Sequence, residues 1–150
     1  LKYIKTGNIQ FHDLTIDCEG TYYLDGNILS GNQLGEMNGS LLVKRGKLHL
    51  NGFNIDGTSG EAITIEEGGT FSNNTPKGFP KGFSNINLMP FSAVNYSRIG
   101  TKNIDSLNFW NLEISRVGTK NILGQTTLNG VLDITFGELQ TNNKLTLLSN

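Results

Sequence analysis

Cysteine is almost missing from this sequence: Cys18 stands alone among 150 residues, which excludes an internal disulfide and a thiolate metal cage. A lone thiol of this kind is expected to be a small buried apolar residue. Alanine occurs only as Ala62 and Ala93, and histidine only as His12 and His49. The best helix former is therefore scarce, and no zinc spacing can be assembled. Charge is sparse as well, 17% of residues with a net charge of −1. That balance leaves no basic face for nucleic acid and no polybasic membrane anchor. The apolar runs are as short as Leu41-Leu42-Val43 and Leu147-Leu148, far below the roughly 20 residues a spanning helix needs, so no membrane insertion is expected.

What is abundant points the other way. Glycine and asparagine occur 19 times each, and both are poor in helix interiors and tolerant of left-handed backbone. Apolar residues alternate with a period of two at Leu41 and Val43, Leu48 and Leu50, Ile63 and Ile65, and Leu132 and Ile134, the pattern of a half-buried strand. Helical spacing is not sustained anywhere.

The alternation is organised by an internal repeat. Phe11-His12-Asp13-Leu14-Thr15-Ile16 and Phe109-Trp110-Asn111-Leu112-Glu113-Ile114 share Phe, Leu and Ile at an offset of 98, and the match continues from Gly20-Thr21 to Gly118-Thr119. A second block, Gly39 to Val43 with Gly46-Lys47-Leu48, lies over Gly130 to Ile134 with Gly137-Glu138-Leu139 at an offset of 91. Upstream, Tyr3 with Asn8-Ile9 answers Tyr96 with Asn103-Ile104. Residues 1–150 thus read as one segment holding about one and a half copies of a repeat of ~95 residues. A finer, nearly constant step carries Leu41/Val43 to Ile63/Ile65 and on to Ile86/Leu88, a length that suits one coil of a solenoid.

Such a coil cannot bury its own apolar edge, but stacked coils align Leu, Ile and Val into interior ladders. The predicted fold is all-β, a right-handed parallel β-helix (β-solenoid) of roughly six coils. The Asn-Gly pairs at 38–39, 51–52 and 129–130 are expected at its corners with positive φ. The same pairs are also hairpin signals, so the alternative is a β-sandwich. The chain opens at Leu1 without an initiator methionine or signal peptide and closes within the alternation Leu145 to Leu148, so both ends are expected to continue into longer sequence.

Tyr96 with Gly100-Thr101-Lys102-Asn103-Ile104, then Phe109 to Ile114, Leu128 to Ile134 and Gly137 to Asn142, resemble the tandem repeats of large secreted surface proteins of Bacteroidetes-type bacteria. The resemblance covers residues 96–148 well and 3–55 moderately, while 56–95 depart from it. It implies a β-helical stalk of an adhesin-like protein, extracellular or at the cell surface, with flanking repeats of the same polypeptide as neighbours. It supplies no catalytic residues and no cofactor.

Residues kept between the copies are Phe, Leu, Ile, Gly and Thr. Those with acid, base or nucleophile character are not kept: His12 faces Trp110, Asp13 faces Asn111, Asp17 faces Ser115, Cys18 faces Arg116 and His49 faces Gln140. No enzyme is expected on this ground. The strongest catalytic candidates are Asp13 and Asp17, four apart on a strand and so predicted to share a face, with His12 and Asp25 near them. No Arg or Lys stands on that strand to act beside them, and a solvated face is the plainer reading. Glu66-Glu67 before Gly68-Gly69 reads as a turn entry and not a chelate, and no metal site is expected.

Residues 70–83 break the pattern, with Pro76 and Pro80 unable to serve in a central strand. A loop extruded from the coil is expected there. It carries Lys77, Phe79, Lys81 and Phe83, two cations and two aromatics suited to a glycan or a surface protein. The plainer reading is that Phe79 and Phe83 fold back to cover the solenoid edge.

Overall fold

The computed structural model describes residues 1–7, 9–31 and 33–148. Among them are fifteen strands and no helix. Every strand pairing is parallel, each strand lying against the equivalent strand of the coil before or after it. A sandwich of hairpins requires antiparallel neighbours, so that alternative is excluded. The chain is a β-solenoid of about seven turns, a parallel β-helix, against roughly six expected from the spacing.

The registers are those the alternation predicts. Leu41 pairs with Ile63 and Ile63 with Ile86, while Val43 pairs with Ile65 and Ile65 with Leu88. A second ladder runs from Leu48 through Phe71, Val94 and Leu112 to Leu132. Leu41, Leu48, Ile63 and Phe71 are completely buried. At about 25 cal/mol per Å² of apolar surface, each such side chain contributes on the order of 2 kcal/mol.

The coil shortens along the axis. A long turn of chain separates Leu14 from its partner Leu41, and a much shorter one separates Val94 from its partner Leu112. The shortening has a cost at Asn85–Leu88, which among the described residues pairs with Ala62–Ile65 and with no strand beyond it, so Ile86 is 36% exposed on a ladder whose earlier rungs are closed.

Long strands bend through corners without breaking. Leu14–Leu24 lies on Leu41–His49, and Asn111–Ile122 lies on Leu132–Gln140, each pair with a register shift at the bend. The glycines that recur in the repeat, Gly20 and Gly118, Gly46 and Gly137, sit at these bends with φ between 77° and 110°, where a side chain would be strained.

The Asn-Gly corners divide. Asn51 and Gly52 have φ of 53° and 86°, as expected. Gly39 and Gly130 are not among the residues of positive φ. They are demanded by close approach instead: a Cβ at Gly39 would meet the His12 carbonyl oxygen at 1.9 Å, and one at Gly130 the Trp110 carbonyl oxygen at 2.8 Å.

The two repeat copies do not stack in register. Leu48 answers Leu139 in sequence, yet its ladder passes through Phe71 and Val94 to Leu112, the residue that answers Leu14. The second copy therefore starts one side of the coil later than the first. The upstream correspondence of Tyr3 with Tyr96 is not structural, since Tyr3 is half exposed and Tyr96 fully buried, and Asn8 lies outside the described residues.

Candidate functional site

The excursion starts later than the sequence predicts. Gly69–Asn73 is a strand, with Phe71 in the core, and the chain leaves the sheet only from Asn74 before returning at Asn85–Leu88. At the exit Asn73 points inward. Its side-chain amide donates to the Gly78 carbonyl at 3.0 Å, and its Oδ1 accepts from the Thr75 amide and hydroxyl, each at 3.2 Å.

Beneath this turn lies Lys102, 4% exposed. Its ammonium donates to Asn73 Oδ1 at 3.0 Å, to the Thr75 carbonyl at 2.6 Å and to the Lys77 carbonyl, and it stands 5.6 Å from the centre of the Tyr96 ring. Asp105 accepts from the Phe79 amide at 2.5 Å. A cation and a carboxylate of the following coil thus hold the excursion from below. Burial brings the Lys102 ammonium down to about 8, with Asp105 acting in the opposite direction.

The four residues expected to meet a partner are placed differently from one another. Lys77 and Lys81 are exposed. Phe79 is 3% exposed and packs on Phe71 with ring centres 4.9 Å apart. Phe83 is half buried and fills the space over Gly57, where a Cβ would meet its ring at 2.4 Å. The rings cover the solenoid, the plainer reading of this segment. Lys77, Phe79 and Lys81 share a cleft of about 370 Å³ with Asn54 and Asp56 opposite, and Phe83 does not line it.

The carboxylates of the N-terminal strand do not converge. Asp13 accepts from the Ser40 amide at 2.7 Å and lies 3.0 Å from His12 Nδ1, and these bonds, the Ser40 amide first, hold its carboxyl below the usual range. Asp17 pairs with Arg45 at 2.8 Å and stands 3.9 Å from Lys44. Asp25 accepts from the Thr6 amide at 2.8 Å and pairs with Lys5 at 3.1 Å; the Thr6 amide is the main reason its carboxyl is also held low. The expected common face of Asp13 and Asp17 fails because Asp13 precedes the strand and the register shifts at Asp17. The cations beside Asp17 come from the next coil, a neighbour that inspection of one strand cannot reveal.

Cys18 is exposed, not buried as expected, because the bulge before Gly20 turns residues 17–20 outward. Its Sγ lies 2.7 Å from the Tyr22 hydroxyl, to which Lys2 donates at 3.1 Å. Glu66 and Glu67 enter a turn closed by the Gly69 amide on the Glu66 carbonyl at 3.0 Å, as predicted. Among the described residues no three His, Cys, Asp or Glu side chains are placed to hold a metal ion.

Sequence reasoning missed the buried lysines. Lys102 and Lys120 are register partners, and Lys120 is fully buried, donating to the Gly100 carbonyl at 3.0 Å and the Gly118 carbonyl at 3.4 Å. Burial lowers its pKa too. The available signal was the alternation Lys-x-Ile at 102–104 and 120–122, a lysine at an inward position.

Compared with protein-family models, curated proteins and solved structures, the chain matches none. No helix among the described residues is long and apolar enough to cross a membrane.

Proposed function

We propose that this chain is a structural segment, a stalk or scaffold of a bacterial adhesin-like protein that is secreted or held at the cell surface. The observation that carries the reading is how the interior ladders finish. Ile114 and Leu128 are closed to solvent, yet their partners in the last coil, Ile134 and Leu147, are 42% and 63% exposed. Among the described residues the strands Leu132–Gln140 and Leu145–Leu147 each pair only with the preceding coil. Apolar rungs beside an open strand edge match the surface that a further coil covers, because one coil buries its neighbour's edge. Flanking repeats of the same polypeptide are the natural occupants. The resemblance of residues 96–148 to surface-protein repeats supports the same role and an extracellular location.

Two copies fused head to tail test this by small-angle scattering. A single stiff rod, each copy adding about 34 Å for its roughly seven turns, is expected; two beads on a hinge would overturn the reading. Labelling of intact source cells with an antibody to the segment tests the location.

A second reading, a glycan- or protein-binding module acting through the excursion, rests on the cleft between Lys77, Lys81 and Asp56. Lys77→Ala with Lys81→Ala should abolish capture of a ligand held there, and unchanged capture ends that reading.

A further inference from the structure

The outer face of the solenoid carries one row of residues, one from each coil in register: Tyr23, His49, Ser72, Asn95 and Glu113, with Tyr3 before them. Coil spacing places Tyr23 and Glu113 about 19 Å apart. The row is uneven in a particular way. It begins with rings in contact, Tyr3 to Tyr23 at 5.8 Å and Tyr23 to His49 at 4.9 Å, tilted to one another by 41° and 47°, then falls to a serine and an asparagine.

Ser72 and Asn95 point away from the core, since Phe71, Asn73, Val94 and Tyr96 take the inward positions, and yet they are 1% and 5% exposed. Outward and buried together describe the floor of a trough. The floor is fixed by polar contacts: Ser72 and Ser97 hydroxyls lie 3.0 Å apart, Ser115 donates to Asn95 Oδ1 at 2.8 Å, and the Asn95 amide donates to Glu113. Glu113 is also 3.9 Å from Lys47. Phe136, 57% exposed, lines the far side, and the groove encloses about 500 Å³.

The charges at the rim do not cancel. Lys47 and Arg116 stand over the groove and Arg98 adjoins it, against Glu113 alone, which is already engaged. Arg116 and Arg98 make no ion pair or hydrogen bond among the described residues. His49 is half buried, and burial first, then Lys47 and Arg116, lower its pKa. The ring is therefore a neutral platform at neutral pH, in the field of two cations.

We propose that this groove binds an acidic oligosaccharide laid across the coils, one sugar face on the Tyr23 and His49 rings, its hydroxyls on the Asn95 and serine floor, and a carboxylate or sulfate on Arg116. A stacking platform beside convergent hydroxyl and amide groups suits sugars, which offer apolar ring faces and many hydroxyls. An unpaired guanidinium suits the planar anion. Each strand under Tyr23 to Glu113 is paired on both sides, so a peptide strand finds a free backbone edge only at the outer coils, Lys2–Ile4 and Leu132–Gln140, and not under the ring and amide floor. The site lies on the flank of the solenoid, so it does not depend on the stacking of further coils.

The test is an amide-resonance titration of the isotopically labelled chain with tetragalacturonate, with maltotetraose as the neutral probe and hexaglutamate as the acidic peptide. Tetragalacturonate should shift Tyr23, His49, Ser72, Asn95 and Ser115, weaken with salt, and bind about tenfold less tightly to Arg116→Ala, the loss of one charge-assisted contact. Arg116 is exposed and makes no contact that folding requires, so the variant should keep the spectrum of the parent. No shifts at millimolar sugar, shifts confined to Lys77–Lys81, undiminished binding by Arg116→Ala, equal binding of maltotetraose, or equal binding of hexaglutamate would each overturn the proposal.

Discussion

Asp13 accepts the Ser40 amide at 2.7 Å, and in the second repeat copy Asn111 accepts the Val131 amide at 2.9 Å in the same way. The four residues correspond pairwise, and the flanking bonds correspond too, Leu14 to the Ser40 carbonyl and Leu112 to the Val131 carbonyl. What recurs is an acceptor that ties one coil to the next. A carboxylate serves in one copy and an amide in the other, so the acidic character of Asp13 is incidental to the fold.

Asp13→Asn should therefore fold with stability within about 0.5 kcal/mol of the parent, whereas Asp13→Ala should lose about 1 kcal/mol by stranding the Ser40 amide. Urea unfolding of the two variants checks the contrast. Equal losses would mean that the charge, not the acceptor, matters.

The same seam predicts the behaviour of its glycine. Gly39→Ala forces a Cβ against the His12 carbonyl, whereas Gly7→Ala meets nothing within 4 Å. Roughly 3 kcal/mol of destabilisation is expected for the first and under about 0.5 for the second. Thermal melts of both variants read the difference.

Ile63 and Ile86 are neighbours on one ladder, but only Ile63 is sealed. Ile63→Asp should prevent folding, since an unpaired charge would sit among Leu41 and its neighbours. Ile86→Asp should give a folded, weakened protein because solvent reaches the site. Circular dichroism and solubility separate the outcomes, and a cooperatively folded Ile63→Asp would refute the inward facing of that residue.

Lys102 makes stability depend on pH. Its ammonium titrates near 8 in the folded chain and near 10.5 unfolded, so between those values the unfolded state binds more protons and stability rises with pH. The gain is about 3 kcal/mol across the window, the cost of burying the charge being relieved as it is lost. Below pH 8 the contribution is flat. Lys102→Met should remove the rise, and by stranding the acceptors at Asn73, Thr75 and Lys77 it should also speed amide exchange through residues 74–83. Urea melts at pH 7.5 and 10 with hydrogen exchange measure both.

Phe79 distinguishes cover from contact. Phe79→Ala should cost roughly 3 kcal/mol, as expected of an emptied core site, while Lys77→Ala and Lys81→Ala should leave stability unchanged within about 0.5 kcal/mol. Denaturation midpoints decide; a neutral Phe79→Ala would return that ring to a partner-facing role.

By itself the sequence determined the alternating strands and the spacing of coils, while the parallel pairing that rules out a sandwich came from the structure. The side-chain alternation, the even step from Leu41 to Ile63 to Ile86 and the recurring Gly, Leu and Ile are local or periodic signals, and each dictates which side of a strand must be buried. It also marked Asp13, Asp17, His12 and Cys18 as residues the repeat does not preserve. Only the tertiary structure decided what lies beside each residue on adjacent coils. Arg45 meets Asp17, Lys102 reaches under the excursion to residues 73–77, and Ser72 falls next to His49 and Asn95, because neighbours across a solenoid are a whole coil apart in sequence. The connections that space these coils vary in length, from the long turn between Leu14 and Leu41 to the short one between Val94 and Leu112, and those lengths set how far the second copy turns about the axis. A row of outward residues becomes a groove only after that rotation is fixed.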